Sequence, residues 1–164
     1  MTAGSLADRV ILVTGSSRGI GAEVAVKTAA EGARVAVHYH RSAQGAAATL
    51  GRIRDAGADG EAFGADLGDG EQAVTLVAQV IERFGRIDGL VNNAGLTQVG
   101  PFLEIEPAEW DAIIRTDLTA AFHTSRAALP SMIANGKGAI VNIASRLGQV
   151  GVTETAAYSA ANFR

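Results

Sequence analysis

The chain has 164 residues, enough for one ordinary domain with a buried core. Its 14 Lys and Arg against 17 Asp and Glu leave a net charge of −3, which argues against non-specific binding to nucleic acid or an anionic membrane. With 48% hydrophobic residues, 19% charged residues and no cysteine, disorder, a disulfide framework and a thiolate metal site are excluded.

In chain order, Arg9 to Thr14 (RVILVT) reads as a strand ended by Gly15. Ile20 to Glu31 has helical spacing and stops at Gly32. Arg34 to Tyr39 (RVAVHY) is a second strand, and Ala43 to Ala56 a helix closed by Gly57. Glu61 to Ala65 is a weak third strand, Glu71 to Phe84 a helix stopped by Gly85, and Ile87 to Val91 a fourth strand. Pro107 suits a first helical turn, and a long helix follows to about Ala134. Ala139 to Ala144 (AIVNIA) is a fifth strand. Strands alternating with helices imply right-handed βαβ units and a parallel sheet covered on both faces, in one domain over 1–164. The longest apolar runs fall far short of the roughly 20 residues of a membrane span. Met1 to Leu6 lacks the basic and apolar regions of a leader, so a soluble, cytoplasmic protein is expected.

Thr14 to Gly21 (TGSSRGIG) joins the first strand to the first helix. A glycine-rich turn there lets backbone N–H groups and the helix N-terminus meet a phosphate, but such turns also arise for structural reasons alone. The second strand ends in His38-Tyr39-His40-Arg41-Ser42, without the carboxylate that favours NAD. Arg41, with Arg18, could fork onto a 2′-phosphate, or be a solvated surface charge. Asn92-Asn93-Ala94-Gly95, after the fourth strand, could line a cofactor or form an ordinary turn.

Together these segments resemble the short-chain dehydrogenase/reductase family, from about Leu6 to Ala161. Thr14 to Gly21 matches its TGxxxGxG cofactor loop, with Gly15, Ser17, Arg18, Gly19, Ile20 and Gly21 as implied cofactor contacts. Asn92 to Gly95 matches NNAG, implying contacts from Asn93, Ala94 and Gly95. Asp66 and Leu67 stand where members meet the adenine, and His40, Arg41 and Ser42 resemble a 2′-phosphate clamp. The resemblance implies a Rossmann-like sheet of order 3-2-1-4-5, NADP(H) rather than NAD(H), and a small carbonyl or alcohol substrate. No metal, membrane or nucleic-acid partner is implied. Members commonly pair through the long helix and the tyrosine-bearing helix, so a homo-oligomer is the implied assembly.

The family's catalytic set is Asn, Ser, Tyr and Lys. Ser145 matches the serine that holds the substrate oxygen, and Tyr158 the tyrosine that exchanges a proton with it. A tyrosine's ordinary pKa near 10 has to be lowered for work at neutral pH, which the family's lysine does. Here Asn162 replaces that lysine and Asp117 replaces the asparagine. Losing the cation is expected to reduce the tyrosinate fraction by roughly ten- to a thousand-fold. Asp117 falls in an apolar stripe of Trp110, Ile114, Leu118, Ala121, Phe122 and Leu129, expected to face the core. It reads either as a paired structural residue or as a proton-relay acid.

The chain stops at Arg164, where members continue through further strands. The fifth strand is therefore expected to be a sheet edge that bares Val141 and Ile143. Three functions remain open: an NADP-dependent oxidoreductase, a nucleotide-binding protein with impaired or no catalysis, and a truncated fragment. Thr97, Gln98, Arg146, Leu147 and Gln149 are the residues expected near a substrate.

Overall fold

The computed structural model describes residues 4–163; Met1 to Ala3 of the N-terminal segment and the terminal Arg164 lie outside the described residues. Five strands alternate with helices: β1 Val10–Val13, α1 Gly19–Ala30, β2 Arg34–Tyr39, α2 Ala43–Asp55, β3 Gly60–Gly64, α3 Gly70–Phe84, β4 Gly89–Asn92, α4 Pro107–Ile113, α5 Ala120–Ala134, β5 Ala139–Asn142 and α6 Ala156–Ala161. The sheet is parallel throughout, in the order β3-β2-β1-β4-β5. This is the expected Rossmann-like arrangement.

The β1 sequence VILV explains its central place. All four residues are buried, because a parallel strand with helices on both faces meets no water. Its side chains alternate between two cores. Val10 and Leu12 pack with Leu76, Val77 and Val80 of α3 and with Ala120 and Ala128 of α5. Ile11 and Val13 pack with Ala25 and Ala29 of α1 and with Ala46 and Ile53 of α2. Helix ends follow local chemistry. The Asp69 side chain caps α3 by accepting from the N–H groups of Glu71 and Gln72. Gly85 closes it at φ +81°, a backbone that side chains resist.

The expected long helix differs in two ways. It is interrupted by a π-helical turn, Ile114–Thr119, between α4 and α5. The stripe expected to be buried also faces out: Leu118, Phe122 and Leu129 are exposed, while Ile113, Ala120, Thr124, Ala128 and Met132 are buried. Small residues take the inner face because α5 lies close against the sheet, so apolar size alone pointed to the wrong side. Among the described residues β5 is one edge of the sheet, and Val141 there is 50% exposed, as expected.

In a parallel sheet all carboxyl ends lie at one edge. The order reverses between β1 and β4, and ligands settle in the crevice beyond such a switch point. The glycine turn, His38 to Ser42, Asp66, Asn92 to Gly95 and Ser145 all lie at or just beyond strand carboxyl ends and share that edge.

Candidate functional site

The glycine turn is fixed from below. Gly15 has φ +63°, and a Cβ on it would come within 2.8 Å of Ala94 Cα. A Cβ on Gly21 would lie 2.5 Å from Asn93 Nδ2, and one on Gly45 would lie 2.6 Å from the Ser17 carbonyl. Three glycines thus let the turn sit against β4's exit and α2. At Gly19, also at positive φ, a Cβ would meet nothing within 4 Å, so this side of the turn is open. Arg18, at the N-cap of α1, makes no side-chain cap. The first N–H groups of this 12-residue helix therefore lack a side-chain acceptor, and their partial positive charge faces the opening.

Thr14 and Asn93 brace the turn. The Thr14 hydroxyl accepts from the N–H groups of Asn93 (2.9 Å) and Ala94 (3.0 Å). The Asn93 amide donates to the carbonyls of Thr14 (2.9 Å) and Gly15 (3.3 Å). The Asn93 side chain thus holds the loop. Asn92 is a buried hub: its amide donates to Asn142 Oδ1 and Ser125 Oγ, and it accepts from the Thr124 hydroxyl.

At the end of β2, Arg41 and Arg18 are exposed, and among the described residues neither has an ion-pair partner. Ser42 caps α2 by accepting from Gly45 N–H, which leaves its own hydroxyl proton to donate. His40 Nε2 lies 3.8 Å from Asp66 Oδ2, and Asp66 Oδ1 accepts from Gly68 N–H. Leu67 is buried and lines the neighbouring cleft.

That cleft, of ≈460 Å³, opens beyond β1, β4 and β5, with Thr14, Asn92, Asp117, Asn142 and Asn162 on its walls. The π-helical turn carries Asp117 into it. Ile113 and Ile114 pack on Ala157 and Ala161 of α6, and this small cluster brings Asn162 to Asp117. Asp117 Oδ1 accepts from Leu96 N–H at 2.7 Å. Burial pushes its carboxyl up to about 6, against the lowering effect of the Leu96 N–H and the Asn162 amide. Asn162 also donates to the Tyr158 carbonyl at 3.0 Å, closing α6. Of the four expected catalytic residues, then, Asp117 and Asn162 meet.

Among the described residues Ser145 and Tyr158 share no hydrogen bond, although the 3₁₀ turn Arg146–Gly148 after Ser145 packs against α6. Ser145 Oγ accepts from Leu147 N–H at 3.1 Å, so its proton is free to be donated. Gln98 is buried, and its amide lies 3.4 Å from the carbonyls of Gly100 and Glu154. Its amide ties the loop at Gly100 to the loop at Glu154. His38 and the Thr14 hydroxyl were missed as site residues. A polar residue inside an otherwise apolar strand was the available signal for His38.

Among the described residues no helix is long and apolar enough to cross a membrane. The family model for short chain dehydrogenases matches residues 9–163. The chain is 39% identical over 149 residues to a 3-oxoacyl-acyl-carrier-protein reductase of Staphylococcus aureus, covering 91% of this chain and 61% of that protein. It is 38% identical over 157 residues to the corresponding reductase of a Synechocystis species, covering 96% and 64%. The chain thus spans about three fifths of the length of these relatives. A metagenomic short-chain oxidoreductase solved in complex with NADP superposes with a TM-score of 0.93 at 40% identity, covering 98% of this chain and 72% of that one. The five-stranded order, the braced glycine turn and a match over nearly the whole chain lead to one assignment: the chain belongs to the short-chain dehydrogenase family.

Proposed function

We propose that this chain binds NADP(H) and carries the cofactor half of an oxidoreductase acting on a small carbonyl or alcohol. One observation carries the reading. An uncapped α1 N-terminus opens beside two arginines that have no ion-pair partner among the described residues, and no carboxylate ends β2. The donor set fits a nucleotide with a 2′-phosphate: N–H groups of the turn for the diphosphate, Arg18, Arg41, His40 and Ser42 for the 2′-phosphate, and Asp66 and Leu67 for the adenine. The NADP bound by the metagenomic relative supports the same choice. NADPH when bound supplies a hydride.

The chain's own residues then handle the substrate oxygen. Ser145 donates its remaining proton to that oxygen; in reduction the Tyr158 phenol gives its proton to it and becomes phenolate, and in oxidation the Tyr158 phenolate takes the alcohol proton. Asp117 holds the turn at Leu96 and presents its second oxygen to the cleft, where a carboxyl with a pKa of about 6 exchanges protons near neutral pH. Its two readings, structural anchor and proton relay, therefore combine. Reductases for a 3-oxoacyl thioester among the relatives suggest a β-keto carbonyl as the first substrate to try. A cytoplasmic setting, where NADPH is abundant, and a homo-oligomer complete the proposal.

A second reading rests on Asn162. Its amide donates to the Tyr158 carbonyl and lies against Asp117, so an uncharged group stands where the family's lysine would. This favours a nucleotide binder with impaired catalysis. NADPH oxidation over a panel of carbonyls decides: turnover lost in Tyr158→Phe supports the oxidoreductase, whereas binding without turnover supports the impaired binder.

A further inference from the structure

His38 is the penultimate residue of β2, beneath the glycine turn, 2% exposed, and the proton chemistry above does not use it. Gly15 N–H donates to its Nδ1 at 2.9 Å. Its Nε2 lies 3.0 Å from the Ala65 carbonyl. Its backbone N–H donates to Ser16 Oγ at 3.0 Å, and its carbonyl accepts from Ser16 N–H at 2.9 Å. A ring nitrogen that accepts an N–H carries no proton, and one that faces a carbonyl carries one. The two contacts therefore specify the neutral imidazole protonated on Nε2. One ring ties the first residue of the turn to the end of β3.

A second proton, on Nδ1, would set two N–H groups against each other at hydrogen-bond distance. Gly15 has little room toward β4, because even a Cβ built on it would lie 2.8 Å from Ala94 Cα. The clash must be relieved by moving the turn.

We propose that His38 is a positioning residue for the glycine turn: its neutral ring fixes the Gly15 end, and a second proton releases it, so that nucleotide binding weakens in acid. The proposal rests on reading Gly15 to Gly21 as the nucleotide site.

The groups around the ring give the direction. Burial dominates and holds the imidazole below its ordinary 6.5. The bond to Ala65 and the charge of Asp66 favour a proton, whereas His40 opposes it. Ser16 of the turn, whose carbonyl accepts from the Thr49 hydroxyl of α2 at 3.0 Å, brings no titratable group to His38. Arg18 and Arg41 are exposed. Because the folded value lies below the unfolded one, the clamp is intact at neutral pH and is lost as pH falls below 6.5 toward the folded value.

The test compares the chain with His38→Asn, which keeps an acceptor near Nδ1 but does not titrate. Protection of the Gly15 amide from hydrogen exchange, corrected for intrinsic rate, and the NADPH dissociation constant are measured from pH 5 to 8. In the parent both weaken in acid, by up to about tenfold per pH unit below the midpoint. The ratio of parent to variant isolates this effect, because protonation of the NADPH phosphate, His40 and Asp117 is common to both. Parallel profiles for the two proteins, or an unprotected Gly15 at pH 7.5, overturn the proposal. A difference at Gly15 without NADPH binding by either protein at pH 8 supports the clamp and refutes the nucleotide reading. Nitrogen NMR of the parent's imidazole needs no variant: an Nδ1–H tautomer, or a pKa at or above 6.5, overturns the proposal.

Discussion

Asp117 offers a quantitative check on the cleft. Its carboxyl has an ordinary value of 3.8 and is pushed up to about 6 by burial. Ionising it in the fold is therefore harder than in the unfolded chain by about 3 kcal/mol. The sign follows from the direction. The cost is fully present above the folded value of about 6 and fades as pH falls toward 3.8, where both states are protonated. Asp117→Asn removes the charge and keeps an oxygen to accept from Leu96 N–H. Partial solvent access reduces the ideal figure, so the variant should be more stable by about 1–3 kcal/mol at pH 7.5. For a chain of this size that corresponds to a rise in Tm of roughly 2–10 °C. Urea denaturation of both proteins from pH 4 to 8 reads the difference, which should shrink steadily below pH 6. A constant difference across that range, or a variant less stable at pH 7.5, would refute the placement of an ionised carboxyl in a desolvated cleft.

Other outcomes are as specific. Arg41→Ala should cost about 1–3 kcal/mol of NADPH affinity while leaving NADH little changed, as read by calorimetry; equal losses for both would detach Arg41 from the 2′-phosphate. Gly21→Ala should destabilise the fold by about 1–3 kcal/mol and weaken nucleotide binding, because its methyl meets Asn93 Nδ2 and the Gly15 carbonyl; an unaffected Tm counts against the braced turn. Asn162→Lys should raise turnover by roughly ten- to a thousand-fold through Tyr158. Asp117 lies against that position and would pair with the ammonium, so the double variant with Asp117→Asn should gain more; a smaller gain in the double variant rejects this coupling. The bare β5 edge and the exposed Leu118, Phe122, Leu129 and Ile133 should make the chain self-associate. A monodisperse monomer in sedimentation, with a sharp reversible melt, contradicts that.

The sheet was legible because parallel strands buried on both faces are written as continuous apolar runs, as β1 is. The glycine turn was legible because its spacing follows from backbone geometry that only glycine satisfies at Gly15 and Gly21. The long helix was misread because burial on α5 follows closeness to the sheet. Ala120, Thr124 and Ala128 fit that gap, and Phe122 does not. The meeting of Asp117 with Asn162 was not legible as a contact. It depends on a π-helical turn and on the Ile113, Ala157 and Ala161 cluster, which join residues 45 positions apart. The roles of Gln98 and His38 were hidden for a related reason: a buried polar side chain is defined by its partners, here loop carbonyls distant in sequence.

The central claim is that the carboxyl ends of β1 and β2 form a site for a 2′-phosphorylated dinucleotide. Side-by-side calorimetric titration of the chain with NADPH and NADH at pH 7.5 tests it most directly. Tighter binding of NADPH, by roughly tenfold or more as one charge-assisted fork on the phosphate implies, is the predicted result. Equal affinity for the two nucleotides, or no binding of either, would contradict it.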